Sequence, residues 1–482
     1  MSTDKTIQKY QPVIGLEVHA QLSTRSKIYN SDANSFGDAP NTNVSVITLA
    51  HPGTLPKLNK KVVEYAIKMG LACHCEISRK QIFDRKNYFY PDLPKGYQIT
   101  QDRTPICKGG YITIKTKDGV EKNIPLNRIH IEEDAGKSMH LEGQNESVLD
   151  FNRAGTALIE IVTEPAIRTS EEAGLILSEI RQLVRYLEIC DGNMEEGSLR
   201  CDANVSIMPV GSKVFGKKVE IKNMNSIKNV QRAIDHEIER QIKEVENGNA
   251  IISETRLFEA SSGKTFGMRT KEELNDYRYF PDPDLSPLHV SDSWLNDIKA
   301  SMPELPKALV TKFISKYKIP EYDALVITDS KEVAIYFEQV CGHTANYKAA
   351  SNWVMGPVKS YVNEHGKLPS VAPNVIADLI AMIDEGKVSF SVASQKIFPA
   401  LLSGGSSSPI EIATRLNLIQ DSNVDNILPI VKEVIKEFPL KVEEYKNGKK
   451  AIITMFMGEV MKRSKGKADP KRANELLVEN LK

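Results

Sequence analysis

The sequence predicts an α+β protein: an N-terminal domain built on an antiparallel sheet, an all-α domain after it, and a small all-α tail. Three observations carry that reading. Segments that alternate apolar and polar residues are confined to the chain before residue 295, and apolar residues at helical spacing dominate beyond it. Two stretches rich in Pro, Gly, Ser and Asp, at 281–287 and 402–409, have the composition of joints. The expected domains are therefore 1–294, 295–407 and 408–482.

The first strand is expected over 14–22, with Ile14, Leu16, Val18, Ala20 and Leu22 on one face and Gly15, Glu17, His19 and Gln21 on the other. In 128–133, Arg128, His130 and Glu132 oppose Ile129, Ile131 and Glu133. In 158–162, Glu160 shares a face with Leu158 and Val162, so this strand reads as buried on both sides. Thr169 and Glu172 form a capping-box pair, and Ala173, Ile176, Ile180, Leu183 and Leu187 continue at helical spacing. Over 199–207 the odd positions are apolar or small, and the even ones are Arg200, Asp202, Asn204 and Ser206. One apolar and one polar face is the pattern of an antiparallel sheet packed on one side. Ser226 starts a helix whose stripe is Ile227, Val230, Ile234, Ile238 and Ile242. Further helices are expected at 304–318, 331–341, 344–364, 371–385, 388–402, 423–437, 448–463 and 470–481, the last opened by the cap pair Asp469-Pro470.

Composition excludes several classes. Lys+Arg and Asp+Glu both number 63, so no global basic field marks a nucleic-acid binder, and any RNA contact must be local. One such place is 446–472, with nine Lys/Arg against two Asp/Glu. The N-terminus lacks the apolar segment of a signal peptide, and no run reaches the ~18 apolar residues of a membrane span. The six cysteines show no secreted-type framework. A soluble, cytoplasmic chain is expected.

The chemistry lies in carboxylates placed on strands. Glu17 and His19, two apart and on one face, suit a divalent cation or an acid–base pair, or equally a solvated strand face. Glu132 and Glu133 point to opposite faces unless the strand bulges or ends there. Glu160, within an apolar run, is costly to bury unless paired or metal-bound. Several acids on one sheet suit Mg²⁺, which favours oxygen ligands and phosphates, and so point to phosphoryl transfer. Gly136-Lys137-Ser138 is no P-loop, because Ile131 stands where that motif needs glycine. Cys73-His74-Cys75 has no second ligand pair nearby and reads as packing. The 404–408 Gly/Ser run lacks the strand context of an amidase nucleophile and reads as a linker.

Seven blocks in order resemble the B subunit of the aminoacyl-tRNA amidotransferases: VIGLEVHAQL, FDRKNYFYPDLPKGYQIT, RIHIEEDAGKS, RAGTALIEIVTEP, DGNMEEGSLRCDANVSI, KVEIKNMNSIKNVQRAI and MRTKEELNDYRYFPDPDL. The resemblance continues through PELP to GKADPKRANELL and covers essentially the whole chain. It implies a cradle domain, a helical domain and a tRNA-binding tail, within a heterotrimer completed by an amidase (the A component) and a small third component (C). The implied cofactors are ATP and Mg²⁺, used to phosphorylate the side-chain carboxylate of Glu-tRNA(Gln) or Asp-tRNA(Asn) before ammonia displaces phosphate. Carried over by motif, Glu17, His19, Glu132, Glu133, Glu160 and Asp202 form the catalytic site, with Glu17 and Glu132 as Mg²⁺ ligands. His19 and Glu133 would orient water or handle the proton of ammonia. Lys86 and Tyr88 line the approach of substrate or ammonia. Lys462, Arg463, Lys465, Lys467, Lys471 and Arg472 are the implied phosphate partners of tRNA. Many family members carry zinc-binding cysteines in the region that here spans 30–52; this chain has none there, so zinc is not expected and hydrogen bonds or packing must hold the loop. Two rival readings are a non-catalytic tRNA-binding protein and a free-standing metal-dependent kinase or hydrolase acting on a small molecule.

Overall fold

Residues 9–141, 143, 146–270, 277–403, 408–420, 423–464 and 466–481 are described in the computed structural model, whose chain divides into two units, Met1–Leu305 and Pro306–Lys482. The first unit holds a ten-stranded sheet whose centre is the run of strands Leu199–Pro209, Tyr10–Gln21, Ala157–Thr163 and Glu121–Glu133. All neighbours in that run are antiparallel. One pair elsewhere departs from the expected antiparallel sheet: Val219–Lys222 and Glu254–Glu259 run parallel. The helix Ile227–Glu246 lies between them in sequence, and a parallel pair needs a crossover of that length.

Alternation settles the two faces. Ile14, Leu16, Val18 and Ala20 of the first strand, Ile159 and Ile161, and Cys201, Ala203 and Val205 are buried in one core. The helices Lys60–Ala72, Ser170–Tyr186 and Ile227–Glu246 contribute Val63, Ile67, Ile176, Ile180, Val230 and Ile234 to that core. A Cβ on Gly70 would stand 2.3 Å from Cys107 Sγ, so the helix approaches the sheet only with glycine there. In Glu121–Glu133, Ile124 and Leu126 face the same core as Ile129 and Ile131, a change of parity made by a register shift opposite Val162 and Thr163.

The helix caps follow the sequence with one difference. Thr169 accepts from Glu172 N, but the Glu172 carboxylate accepts from Arg168 N rather than from the cap residue, and also holds Lys122. The first unit runs past 294 to Leu305, because Leu295 and Ile298 of helix Asp292–Ala300 are buried in the sheet's core.

In the second unit, helices Pro306–Tyr317, Lys331–Cys341, Pro373–Asp384, Val424–Glu437 and Pro470–Asn480 lie where apolar spacing puts them. Two expected helices are not α throughout. Val354–Val358 and Ala393–Ile397 are π-helical turns, the first containing Pro357 and the second followed by Pro399, residues that cannot donate to the ladder. Glu321–Ile327, Pro409–Arg415 and Pro439–Lys446 are short helices whose apolar stripes escape a periodicity reading. A separate apolar core begins at Ile427 and includes Val431, Phe456, Val460 and Leu477. Helix Pro409–Arg415 instead packs on Pro373–Asp384. The joint residues 404–407 lie outside the described residues. Among the described residues no helix is long and apolar enough to cross a membrane.

The cysteine-free loop after the first strand is held by polar contacts. The Asp32 carboxylate accepts from Ser45 N at 2.8 Å and from Thr48 Oγ1, whose oxygen also accepts from Asn30 Nδ2 at 2.9 Å. Lys27, fully buried, donates to Asn43 O at 2.7 Å, and burial lowers its pKa to about 8. Cys73 is buried, Cys75 donates to Gly109 O, and His74 stacks on Tyr111 at 4.5 Å.

Candidate active site

The sheet face away from the helices collects the polar residues of four strands, and strand register decides which ones meet. His19 pairs with Arg200 on one side and Glu160 on the other, and Glu160 pairs with His130. One row across the sheet therefore reads Arg200, His19, Glu160, His130. The next reads Asp202, Glu17, Val162, Arg128, with the Lys222 ammonium on Asp202. Glu132 shares a face with His130 two residues earlier, and so closes on the first row.

Atoms converge at three of these side chains. His19 Nε2 lies 3.4 Å from Glu160 Oε2 and 3.5 Å from Glu132 Oε1, and ligand atoms of all three fall within 4.8 Å of one another. His130 Nε2 lies 3.3 Å from Glu160 Oε2, and its buried Nδ1 has no hydrogen-bond partner among the described residues. Burial opposes charge on every member, yet the pairs win. Desolvation lowers the pKa of His130, but hydrogen bonds to Glu132 and Glu160 raise it to about 9. His19 is raised against the same burial by Glu160 and Glu132. Burial pushes Glu160 up, and the two imidazoles hold it well below the carboxylate range. Glu160 is thus not stranded in the apolar run that surrounds it in sequence: it stands between two histidines from neighbouring strands.

The other expected residues are distributed around this cluster. Glu17 sits one row away, accepting from Asn204 Nδ2 at 2.9 Å, and its pKa is raised by burial and then by Glu160, Glu220 and Asp202. Asp202 pairs with Lys222, which also meets Glu220 at 3.1 Å. Glu133 points to the opposite face, as alternation requires, and is not part of the cluster. It is bound by Lys95 and by Ile99 N at 2.8 Å, in a cavity also lined by Tyr29 and Asn30. The Tyr29 hydroxyl is buried there with no partner among the described residues. Lys86 Nζ stands 4.9 Å from the Tyr277 ring and 5.9 Å from that of Tyr88. Burial lowers the Lys86 pKa, but Glu132, Tyr279 and Tyr277 outweigh it and keep the ammonium charged. Burial also pushes the Tyr88 hydroxyl well up.

Sequence reasoning misses His130, Arg200, Asp134, Tyr277 and Tyr279 as site residues. For His130 a signal is present, since it alternates with Glu132 on the polar face; for Arg200 only the register opposite His19 reveals the place. On the tail, Lys462, Lys467 and Lys471 are exposed, Lys462 lying 3.7 Å from Glu459 and Lys467 donating to Asn417 Oδ1 at 3.1 Å; Arg463 pairs with Glu433 and Glu437, and Arg472 with Glu475. Lys465 lies outside the described residues.

Two carboxylates converging on one spot, with an imidazole that becomes a ligand on losing its proton, fit a divalent cation, and the lysine and tyrosines beside them fit an anionic substrate. A sheet domain carrying such a site and followed by helical domains defines a class, and similarity to known proteins names it. Residues 12–296 match the GatB/GatE catalytic domain, and residues 335–481 match the GatB domain. The chain is 48% identical to the B subunit of the aspartyl/glutamyl-tRNA(Asn/Gln) amidotransferase of Synechococcus sp. (strain JA-3-3Ab), covering 98% of both chains. It is 49% identical to the B subunits of the same amidotransferase from Thermoanaerobacter pseudethanolicus and Trichlorobacter lovleyi, over 98% of this chain and 99% of each of theirs. The chain belongs to the family of aspartyl/glutamyl-tRNA(Asn/Gln) amidotransferase B subunits.

Proposed function

We propose that the chain activates the side-chain carboxylate of Glu-tRNA(Gln), Asp-tRNA(Asn) or both with ATP, and joins it to ammonia that a glutaminase partner releases. The observation that carries this reading is the convergence of His19, Glu132 and Glu160 on the sheet face. A carboxylate resists ammonia, whereas an acyl phosphate offers a good leaving group. One carboxylate oxygen attacks the γ-phosphorus and ADP departs; ammonia then attacks the acyl carbon and phosphate departs, leaving the amide. Magnesium, held by Glu132 and Glu160 with His19 and Glu17 beside them, would neutralise phosphate charge.

The chain's own residues do the rest. Lys86, kept charged among Tyr88, Tyr277 and Tyr279, positions an anionic oxygen next to Glu132. Glu133 and Lys95 lie on the reverse face and border a cavity whose buried tyrosine hydroxyl has no partner among the described residues, a polar path suited to ammonia. Glu133 there takes the proton that ammonium sheds in becoming ammonia, and the departing phosphate carries off the proton lost when ammonia attacks. The amidase and the small third component complete the heterotrimer in the cytoplasm. The tail's exposed lysines, with Arg463, Arg472 and the Lys465 of the same basic segment in sequence, hold tRNA by its phosphates. In domain terms, the first unit is the cradle and the tail from about residue 408 the RNA-docking part, with the helical domain between them.

Measuring ADP formation dependent on aminoacyl-tRNA, with and without the amidase partner, tests the reading. Glu17→Gln and Glu132→Gln should abolish amidated product while glutamine hydrolysis by the assembled complex continues. Near-wild-type amidation by both variants would remove these carboxylates from the mechanism. RNA binding without any ATP consumption would favour a non-catalytic tRNA-binding protein.

A further inference from the structure

The polar face does not end at the acid–imidazole cluster. On the first strand His19 is followed on the same face by Gln21, and on Leu199–Pro209 the residue facing His19 is Arg200. Gln21 N bonds Ser198 O at 2.8 Å, and Gln21 and Ser198 both line a broad polar groove that also holds Lys137, Arg153 and Asn34. Passing from groove to cluster along these strands, Arg200 and His19 form the threshold.

Arg200 is held there by a buried anchor. Asp134, 6% exposed, accepts from Arg200 Nη2 at 2.9 Å and from Gln21 Nε2 at 2.9 Å. No other hydrogen bond of that guanidinium forms among the described residues, so Nε and Nη1 are uncommitted. Lys222 is engaged by Asp202 and Glu220, Arg128 by the carbonyl and carboxylate of Asp102, and Arg153 by Asp134 and the carbonyls of Ala135 and Gly136, whereas Lys86 stands at the Glu132 end of the cluster, away from the threshold. A carboxylate entering beside Glu132 and Glu160 needs a donor that fixes its position. An uncommitted guanidinium N–H gives an incoming carboxylate a charge-assisted hydrogen bond.

We propose that Arg200 is the clamp that receives the side-chain carboxylate of the aminoacyl group as it passes from the groove to the cluster, an inference that rests on the function proposed above. Asp134 is its positioning residue, fixing the guanidinium through Nη2 and leaving Nε and Nη1 uncommitted. The clamp also separates substrate from product. Once the carboxylate becomes an amide the charge-assisted pair is gone, so the amidated aminoacyl end is held less tightly at the same spot.

The test uses the assembled complex and compares wild type with Arg200→Gln, Arg200→Lys and Asp134→Asn. Three quantities are read: KM for the mischarged tRNA, KM for ATP, and the inhibition constant of the amidated product tRNA. Losing a charge-assisted bond should raise KM for the mischarged tRNA by about 10- to 100-fold in Arg200→Gln. ATP KM and product-tRNA affinity should hold within about twofold, which also shows the variant to be folded. Arg200→Lys should recover part of the loss, and Asp134→Asn should show the same pattern at smaller size. Equal weakening of mischarged and amidated tRNA would mean a scaffold role, and a rise confined to ATP KM would make Arg200 a phosphate ligand; either overturns the proposal, as does an unchanged Arg200→Gln. A wild-type complex that makes no ADP in response to mischarged tRNA would overturn the functional reading itself, whatever Arg200 does.

Discussion

Replacing Glu160 by Gln keeps its volume and removes only the charge that stands between His130 and His19, at 3.3 and 3.4 Å. The effect can be sized from His130. Its pKa is raised from 6.5 to about 9, and each unit is worth about 1.4 kcal/mol, so the pairing stabilises the fold by roughly 3 kcal/mol. Glu132 shares that role, so Glu160 accounts for on the order of 1–2 kcal/mol, counted once for both partners. The sign follows from the direction. A histidine pKa raised on folding contributes stability fully present below about pH 6.5, the unfolded value, and lost as pH rises through about 9. Glu160, depressed on folding, gives the acid limit of the same interaction: it is present above the ordinary carboxylate value and lost as pH falls through the lower folded one. Scanning calorimetry with chelator present should therefore show Glu160→Gln melting about 2–5 °C below wild type near pH 6, with the gap closing near pH 9.5. An equal gap at both pH values would show that the imidazoles are not held charged by this carboxylate.

Two further outcomes follow from the loop and the tail. Asp32→Ala leaves Ser45 N and Thr48 Oγ1 without their acceptor, which should cost about 1–3 kcal/mol and expose the segment 30–52 to protease, while elemental analysis of the wild-type complex finds no stoichiometric zinc in this chain; unchanged proteolysis, or one tightly held zinc per chain, would refute the hydrogen-bonded account of the loop. Charge reversal at Lys462, Lys467 and Lys471 should raise KM for tRNA and flatten its salt dependence with little change in saturated turnover, whereas reversal at Arg463 should instead lower the tail's stability, because it would set an acid beside Glu433 and Glu437; a collapse of saturated turnover with unchanged tRNA affinity would place the tail in catalysis or assembly.

Local rules explain which parts of this protein are legible in its sequence. Period-two alternation places Glu17 and His19 on the face opposite Leu16 and Val18, and it divides Glu132 from Glu133 before any contact is known, because side-chain direction along a strand is a local property of the backbone. Caps at Ser226 and Asp469 are readable for the same reason: a side chain two or three residues away satisfies the free amides. Seven ordered sequence blocks are enough to indicate the family.

Register is not local, and it decides the site. Nothing near Glu160 in the chain announces His19, a strand away on one side, or His130 on the other; antiparallel pairing brings them together and turns an isolated acid in an apolar run into the centre of a charged cluster. The same pairing sets Glu17 one row aside and puts Arg200 opposite His19. The parallel pair at Val219–Lys222 and the reach of the sheet's core to Leu295 and Ile298 are likewise closed to the sequence, since crossover and burial depend on which distant surfaces meet. Composition and alternation therefore determine what each strand presents, and tertiary pairing decides which of those groups lie close enough to exchange charge, because that requires separations of a few ångströms between residues that the chain places on different strands.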